Sequence, residues 1–436
     1  MKHILKILKK YSFYIILVFV LLFMQANCDL TLPEYTSNIV NIGIQQSGIE
    51  SPVPEVIREE EYNKLLLFMN SESQEKVNNS YTLITKDNTE YLEKYPLLNE
   101  ENLYILNTEN EDLRSIITLP MIMVYNTSQE SFDPSSFGMQ IPDGMSIYDI
   151  LQAMDQESHN EFVNKLSENY SDETVSLLEQ TAIVYLKDEY TKIGIDVEEM
   201  QLGYIATTGL KMLGLALASM VLTIASVFLT SRIAAFFSRD LRSKVVNKVM
   251  TYSNTEFESF STASLITRST NDIQQIQMLI VMLLRIVFFA PIMGIGALAK
   301  VSGNDMSWII ALAVVTIIGF VIILFGLAMP KFNKVQKLID KVNLVSREIL
   351  SGIPVIRAFG TEKHEEKRFD DANKDLTKVN LFVNRVMTVM MPSMMFIMNG
   401  VSVLIVWVGA SKIDAGTIQV GTLMAYITYT MQIIMS

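Results

Sequence analysis

Phe257-Glu258-Ser259-Phe260-Ser261-Thr262-Ala263-Ser264-Leu265-Ile266-Thr267-Arg268-Ser269-Thr270-Asn271-Asp272 is a polar stretch set between two long apolar runs, and its reading decides the fold. A second stretch, Arg347-Glu348-Ile349-Leu350-Ser351-Gly352-Ile353-Pro354-Val355-Ile356-Arg357-Ala358-Phe359, occupies the equivalent place after the next pair of apolar runs. Both gain meaning only if the apolar runs around them cross a bilayer, which takes about 20 apolar residues as helix. Six runs present themselves: 12–32, 207–237, 276–299, 306–329, 386–410 and 420–436. The last is short, so the chain reads as a fragment that stops inside an incomplete span.

Orientation follows from the basic flanks, because cytoplasmic ends retain Lys and Arg. Lys2, Lys6, Lys9 and Lys10 precede the first run, Arg232, Arg239, Arg242, Lys244, Lys248 and Arg268 follow the second, and Lys331, Lys334, Lys337, Lys341, Arg347 and Arg357 follow the fourth. All three sets fall on one side, which predicts a cytoplasmic N-terminus and puts both polar stretches in the cytoplasm. The connections at 300–305 and 411–419 are short and carry little positive charge.

Charge is distributed unevenly along the chain. Residues 46–200 hold 31 acidic and nine basic residues, whereas the remainder holds 16 and 26. Lying between the first two spans, this acidic insert is expected outside the cell, and it is large enough for a small domain with its own core. Its surface reads either as a substrate-attracting funnel or, more plainly, as a solvated exterior. A surface of this sign repels phosphate, so nucleic acid is excluded as a partner. Ser146-Ile147-Tyr148-Asp149 and Ser158-His159-Asn160-Glu161 read as capping-box helix starts. Val175, Leu178, Ala182 and Leu186 predict a final amphipathic helix. Tyr81-Thr82-Leu83-Ile84 and Leu103-Tyr104-Ile105-Leu106 are candidate strands. Cys28 is the only cysteine, so no internal disulfide staples the insert. The residues before Cys28, Met24-Gln25-Ala26-Asn27, are a poor cleavage site, and the first run reads as an uncleaved anchor.

Taken with the spans, the two polar stretches resemble the intracellular loops of ABC exporters, whose short coupling helices dock onto nucleotide-binding domains. Gly416-Thr417-Ile418-Gln419-Val420-Gly421-Thr422-Leu423 is similar to that family's entry into its sixth helix. The resemblance implies an all-α membrane protein: a six-helix, type IV exporter transmembrane domain with a mainly helical or α+β extracellular insert. The boundaries are 1–45 for the first transmembrane helix, 46–200 for the insert, and 201–436 for helices two to six with two cytoplasmic coupling loops. Large inserts between spans one and two resemble those of one subunit of certain heterodimeric multidrug exporters.

By resemblance the first coupling helix is 257–264, with Phe257 and Phe260 as anchors, Ser261 within it, and Ala263 where the family has Gly. The roughly 38 residues at 238–275 suffice for two antiparallel helical arms reaching about 25 Å beyond the bilayer. Arg268 and Asp272, four apart, form a candidate arm-locking pair; an ordinary exposed pair of this kind contributes about 0.3–0.5 kcal/mol. The second arm, 330–385, has its tip at 351–359. There Gly352 and Pro354 are expected to form the bend, leaving Ile353, Val355, Ile356 and Phe359 as an apolar face.

For the translocation cavity, Arg285 is read as the one ionisable residue well inside a span, and midplane acids for ion coupling are read as missing. Met391, Met394, Met395 and Met398 lie around Pro392, which is expected to bend the fifth span; flexible thioethers suit a promiscuous apolar cavity, and plain packing is the simpler alternative. No catalytic set and no metal cluster stand out, the three histidines His3, His159 and His364 being scattered. The sequence holds neither a Gly-x-x-x-x-Gly-Lys-[Ser/Thr] phosphate loop nor a Leu-Ser-Gly-Gly-Gln signature, so ATP and Mg are expected to be bound by a nucleotide-binding domain or partner and not by this chain. The implied function is the membrane-spanning half of an ATP-driven exporter in the plasma membrane, pairing with a second half to move amphipathic compounds, drugs, peptides or lipids. The alternative is a membrane anchor that displays the insert as a receptor or adhesin, for which long basic arms with apolar tips have no use.

Overall fold

A computed structural model describes residues 8–435 apart from 87–90, 93, 109–110, 129–145, 169–174, 254, 256–259 and 303–305. The first helix, α1 (Ser12–Asn38), is preceded by a 3-10 turn (Lys9–Tyr11) and prolonged by a π-helical stretch (Ile39–Gln45). Val18, Leu22, Ala26, Leu30, Pro33 and Ser37 are buried at intervals of four and three, which marks one seam along the helix.

The insert follows. Strand β1 (Val56–Arg58) leads into α2 (Glu59–Leu66) and α3 (Ser71–Ser80), then β2 (Tyr81–Ile84) and β3 (Leu103–Leu106). The order is β1-β3-β2, fully antiparallel, with Val56 and Thr82 both opposite Ile105. Helices α4 (Glu111–Thr127), α5 (Ile147–Ala153), α6 (Gln156–Glu168) and α7 (Val175–Ile193) complete it. Tyr62, Leu98, Leu103, Leu113, Ile117, Met121, Ala182 and Leu186 fill a single apolar core. The insert is thus α+β with its own core. Both expected strands are present, and β1 is an addition to them.

The capping box at Ser146 forms with both reciprocal bonds. The second expected helix start does not: α6 begins two residues before Ser158, because the Asp155 carboxylate accepts the Ser158 amide at 3.2 Å while Glu161 pairs with Lys165. Ala182 and Leu186 face the core as expected, and the Val175 side chain lies outside the described residues.

A polar network crosses this core. The Glu189 carboxylate accepts from the Arg58 backbone amide (3.1 Å), Nε (2.9 Å) and Nη2 (2.7 Å). Tyr185 donates to Glu61 at 2.6 Å, and Lys64 lies 2.9 Å from the same carboxylate. The bond to Glu189 raises the Arg58 guanidinium above its ordinary pKa, and burial pushes the Tyr185 hydroxyl up. These charges tolerate burial because each has a bonded partner.

After the turn Gly194-Ile195, Asp196 caps α8 (Val197–Val249) by accepting the Glu198 and Glu199 amides at 3.0 Å. At 53 residues α8 is about 80 Å long, far more than a bilayer requires. It packs against α1 through Ser219, Ser226, Thr230, Ala234 and Phe237, mostly small side chains that let two backbones approach without a hydrophobic drive between them. Tyr11 donates to Asp240 at 2.8 Å and Lys10 pairs with it at 2.9 Å, pinning the ends of the two spans side by side.

Then come α9 (Thr262–Ser269), α10 (Asn271–Met282), a second π-helical stretch (Leu283–Val287), α11 (Phe288–Val301), α12 (Ser307–Phe359), α13 (Glu362–Asp414) and α14 (Val420–Met435). Among the described residues five helical stretches are long and apolar enough to cross a membrane: Lys9–Gln45, Val197–Val249, Thr262–Val301, Ser307–Phe359 and Glu362–Asp414. The 16-residue α14 is a shorter apolar helix. The chain divides into two units, Met1–Gly296 with Gly409–Tyr429, and Ala297–Val408 with Thr430–Ser436.

Candidate functional site

The second arm is one helical hairpin. The lower part of α12, from Pro330 to Phe359, extends about 45 Å. It runs antiparallel to α13, with Lys331 over the Phe382 ring (5.2 Å), Lys341 near Asp375 (3.4 Å) and Arg368 bonded to Glu348 and Glu365. Here the structure corrects the expected bend. The helix continues through both Gly352 and Pro354, and the reversal occurs at Gly360 and Thr361. Gly360 takes the left-handed conformation (φ 62°), and the Thr361 amide returns to the Ile356 carbonyl at 3.1 Å, closing the helix end. A proline removes one internal bond of a helix, and here the remaining bonds carry the helix past it.

The apolar tip residues divide into two sets. Ile353 and Ile356 are half-buried in a concavity of about 520 Å³ between the arms, with Leu350, Phe369, Arg357 and Glu362 around it. Val355 (60% exposed) and Phe359 (79%) point outward. Gly352 is under no close approach, a Cβ there lying 3.8 Å from Ile356.

At the first arm, Phe257 lies outside the described residues, as do Glu258 and Ser259. Of the expected coupling helix 257–264, residues 257–259 lie outside the described residues; helix α9 begins at Thr262, where Ser261 acts as its cap and accepts the Ser264 amide at 3.2 Å. Ala263 sits exposed in its first turn. Phe260 stacks on Tyr252 (centroids 6.0 Å apart), with the Arg268 guanidinium 5.3 Å from its ring. Arg268 therefore holds the arm through a cation–π contact. No ion pair joins it to Asp272 among the described residues, since Thr270 (ψ −77°) interrupts the helix between them. Arg242 of α8 donates to the Ser269 carbonyl at 3.3 Å, tying the two sides of this arm together.

Arg285 lies exposed in the π-helical stretch, beside a shallow concavity of about 640 Å³ bordered by Gln274, Gln277, Met278 and Met282. Stretches of this kind recur at functional positions. On α13, Met391 (67%) and Met395 (58%) are exposed while Met394 and Met398 are half-buried, and the helix continues through Pro392.

Arg285 is not alone. Asp29 lies inside α1, where Ser219 of α8 donates to its carboxylate at 2.6 Å and Gln25 approaches at 3.5 Å. Asp29, near the end of the run 12–32, is an acid that the sequence reading passed over; the hydroxyl on the facing helix makes it tolerable there. Asn41 was likewise missed, and its bonds to the start of α14 are described below.

A family model for the ABC transporter transmembrane region matches residues 186–436. An uncharacterized ABC transporter ATP-binding protein of Mycobacterium tuberculosis (strain CDC 1551 / Oshkosh) is 33% identical over 265 residues, 60% of this chain and 46% of that protein. One of Bacillus subtilis is 32% identical over 237 residues, 54% and 41% of the respective chains. A putative export ATP-binding/permease protein of Rickettsia bellii is 28% identical over 227 residues, 49% and 38%. Each match spans less than half the length of the relative. Continuous apolar helices, paired arms and a family match over more than half its length identify the chain as a multi-pass membrane protein of the ABC transporter transmembrane family.

Proposed function

We propose that the chain forms the membrane half of an ATP-driven exporter for amphipathic compounds, working with a second half and with nucleotide-binding domains that hold ATP and Mg. The observation that carries this reading is the tip of the second arm. An exposed Phe359 and Val355, at the end of a 53-residue helix stiffened by Arg368–Glu348 and Lys341–Asp375, need an apolar partner beyond the membrane. A rod of this length carries a displacement at its tip into the span from which it grows. The N-terminus and arms lie in the cytoplasm, the insert outside the cell, and the pathway runs between the spans of the two halves.

The test replaces Phe359 with Ala in the protein completed by its nucleotide-binding domains. Loss of one buried ring costs about 2–4 kcal/mol at such a dock. Transport falls while membrane insertion and ATP binding persist, and Lys367→Gln, exposed on α13 outside the concavity at the tip, leaves transport near the parental rate. Parental transport by Phe359→Ala refutes the assignment of the tip.

A further inference from the structure

Asn41 sits in the π-helical stretch after α1 and is 6% exposed. Its Oδ1 accepts the Gly421 amide at 2.7 Å, and its Nδ2 donates to Ser37 Oγ (3.2 Å) and Thr422 Oγ1 (3.3 Å). Gly421 is the second residue of α14, and its amide is one of those that open every helix without a partner inside it. A short polar residue just before the helix normally fills this role. Position 419 is Gln, and the acceptor arrives instead from α1, 380 residues earlier in the chain. A Cβ at Gly421 would overlap the Ser37 carbonyl and the Asn41 side chain, so the approach depends on glycine. Further along α14, about 12 Å on, the Tyr429 hydroxyl donates to the Leu30 carbonyl at 3.1 Å. The two polar anchors fix both the rotation and the depth of α14 against α1. Sliding α14 by one turn would leave the buried Gly421 amide and the Asn41 carbonyl oxygen without each other, and unmade buried bonds are costly.

We propose that Asn41 is a positioning residue of the transmembrane unit: it caps α14 from α1 and so sets the register of the last span against the first. The contact is made or broken as a unit, because each group's partner lies on the other helix or one turn away. Its consequence for transport rests on the function proposed above; the cap itself does not.

Amide exchange in the full chain in lipid nanodiscs tests the cap, with the protection of the insert core as the folding control. Asn41→Ala and Asn41→Leu lower Gly421 protection at least tenfold, and Asn41→Asp, which keeps an acceptor, restores it. Unchanged protection in Asn41→Ala, or Asn41→Asp behaving like Asn41→Leu, overturns the cap. In the completed protein Asn41→Leu loses transport while ATP binding stays, and Asn41→Asp recovers it. Lost Gly421 protection with parental transport overturns the role in the pathway, whereas a parental protein that never transports leaves the cap to be decided by exchange alone.

Discussion

Replacing Glu189 with Ala removes the one carboxylate that holds Arg58 in the insert core. Glu189 is 1% exposed and takes three bonds from Arg58, whose own side chain is 13% exposed. Without it the guanidinium keeps, as an ion pair among the described residues, Glu61 at 3.6 Å. Breaking a buried pair from one side costs about 3–5 kcal/mol, and the remaining Glu61 places this case near about 3. For a unit of roughly 150–250 residues each kcal/mol moves the midpoint about 2–4 °C, so the insert should melt some 6–12 °C lower. Pulse proteolysis of the full chain across temperature, scored by cuts within 46–200, reads this directly. The double change Arg58→Met with Glu189→Leu should recover to within about 1 kcal/mol of the parent, because no charge is then left unpaired. A shift below about 2 °C for Glu189→Ala, or a double variant as weak as the single one, refutes the network as the stabilising element.

Alkaline pH should open the same domain. Burial raises the Tyr62, Tyr185 and Tyr190 hydroxyls above the ordinary value near 10, so the unfolded chain ionises first; the stability they confer is whole below pH 10 and declines above it. Tyrosinate absorbance should rise together with loss of protease resistance, and complete titration around pH 10 with the insert intact contradicts this. Gly360→Val should strain the arm reversal by about 1–3 kcal/mol, seen as faster exchange at 345–370, while Gly360→Asn should be tolerated. Single cysteines at Glu157 and Glu366 in a Cys28-free background should label from opposite faces of intact cells; one impermeant reagent reaching both from outside rejects the proposed topology.

The spans were legible because a continuous apolar run has few readings other than a membrane helix. The arms were legible because they continue those runs with charged, helix-forming residues such as 362–371. Strands β2 and β3 showed as short β-prone runs, whereas β1 is three residues squeezed between Pro54 and an acidic helix start, too short to register. Gly352 and Pro354 looked like the bend because each weakens a helix alone, yet α12 runs unbroken through both, and the left-handed Gly360 makes the turn. The site was harder to read. Arg268 faces Phe260, eight residues earlier, across a loop rather than along a helix, and spacing arguments see only the latter. Asn41 finds its partners 380 and 381 residues away, and nothing local in the sequence announces a cap supplied from such a distance.

The chain leaves the first span and returns to the second at nearly one point. Gly48, left-handed at φ 85°, lies so close to the second helix that a Cβ there would come within 2.8 Å of the Met200 carbonyl. The whole acidic domain is thus spliced into the tip of a helical hairpin whose two ends already touch. Such a graft asks little of its host, since domains whose termini lie together can be gained or lost without moving the elements that carry them. Joining Ser47 to Gln201 through a few flexible residues should leave the α1–α8 seam and its polar clasp at Asp29 and Ser219 in place, giving a shorter relative with the same membrane architecture.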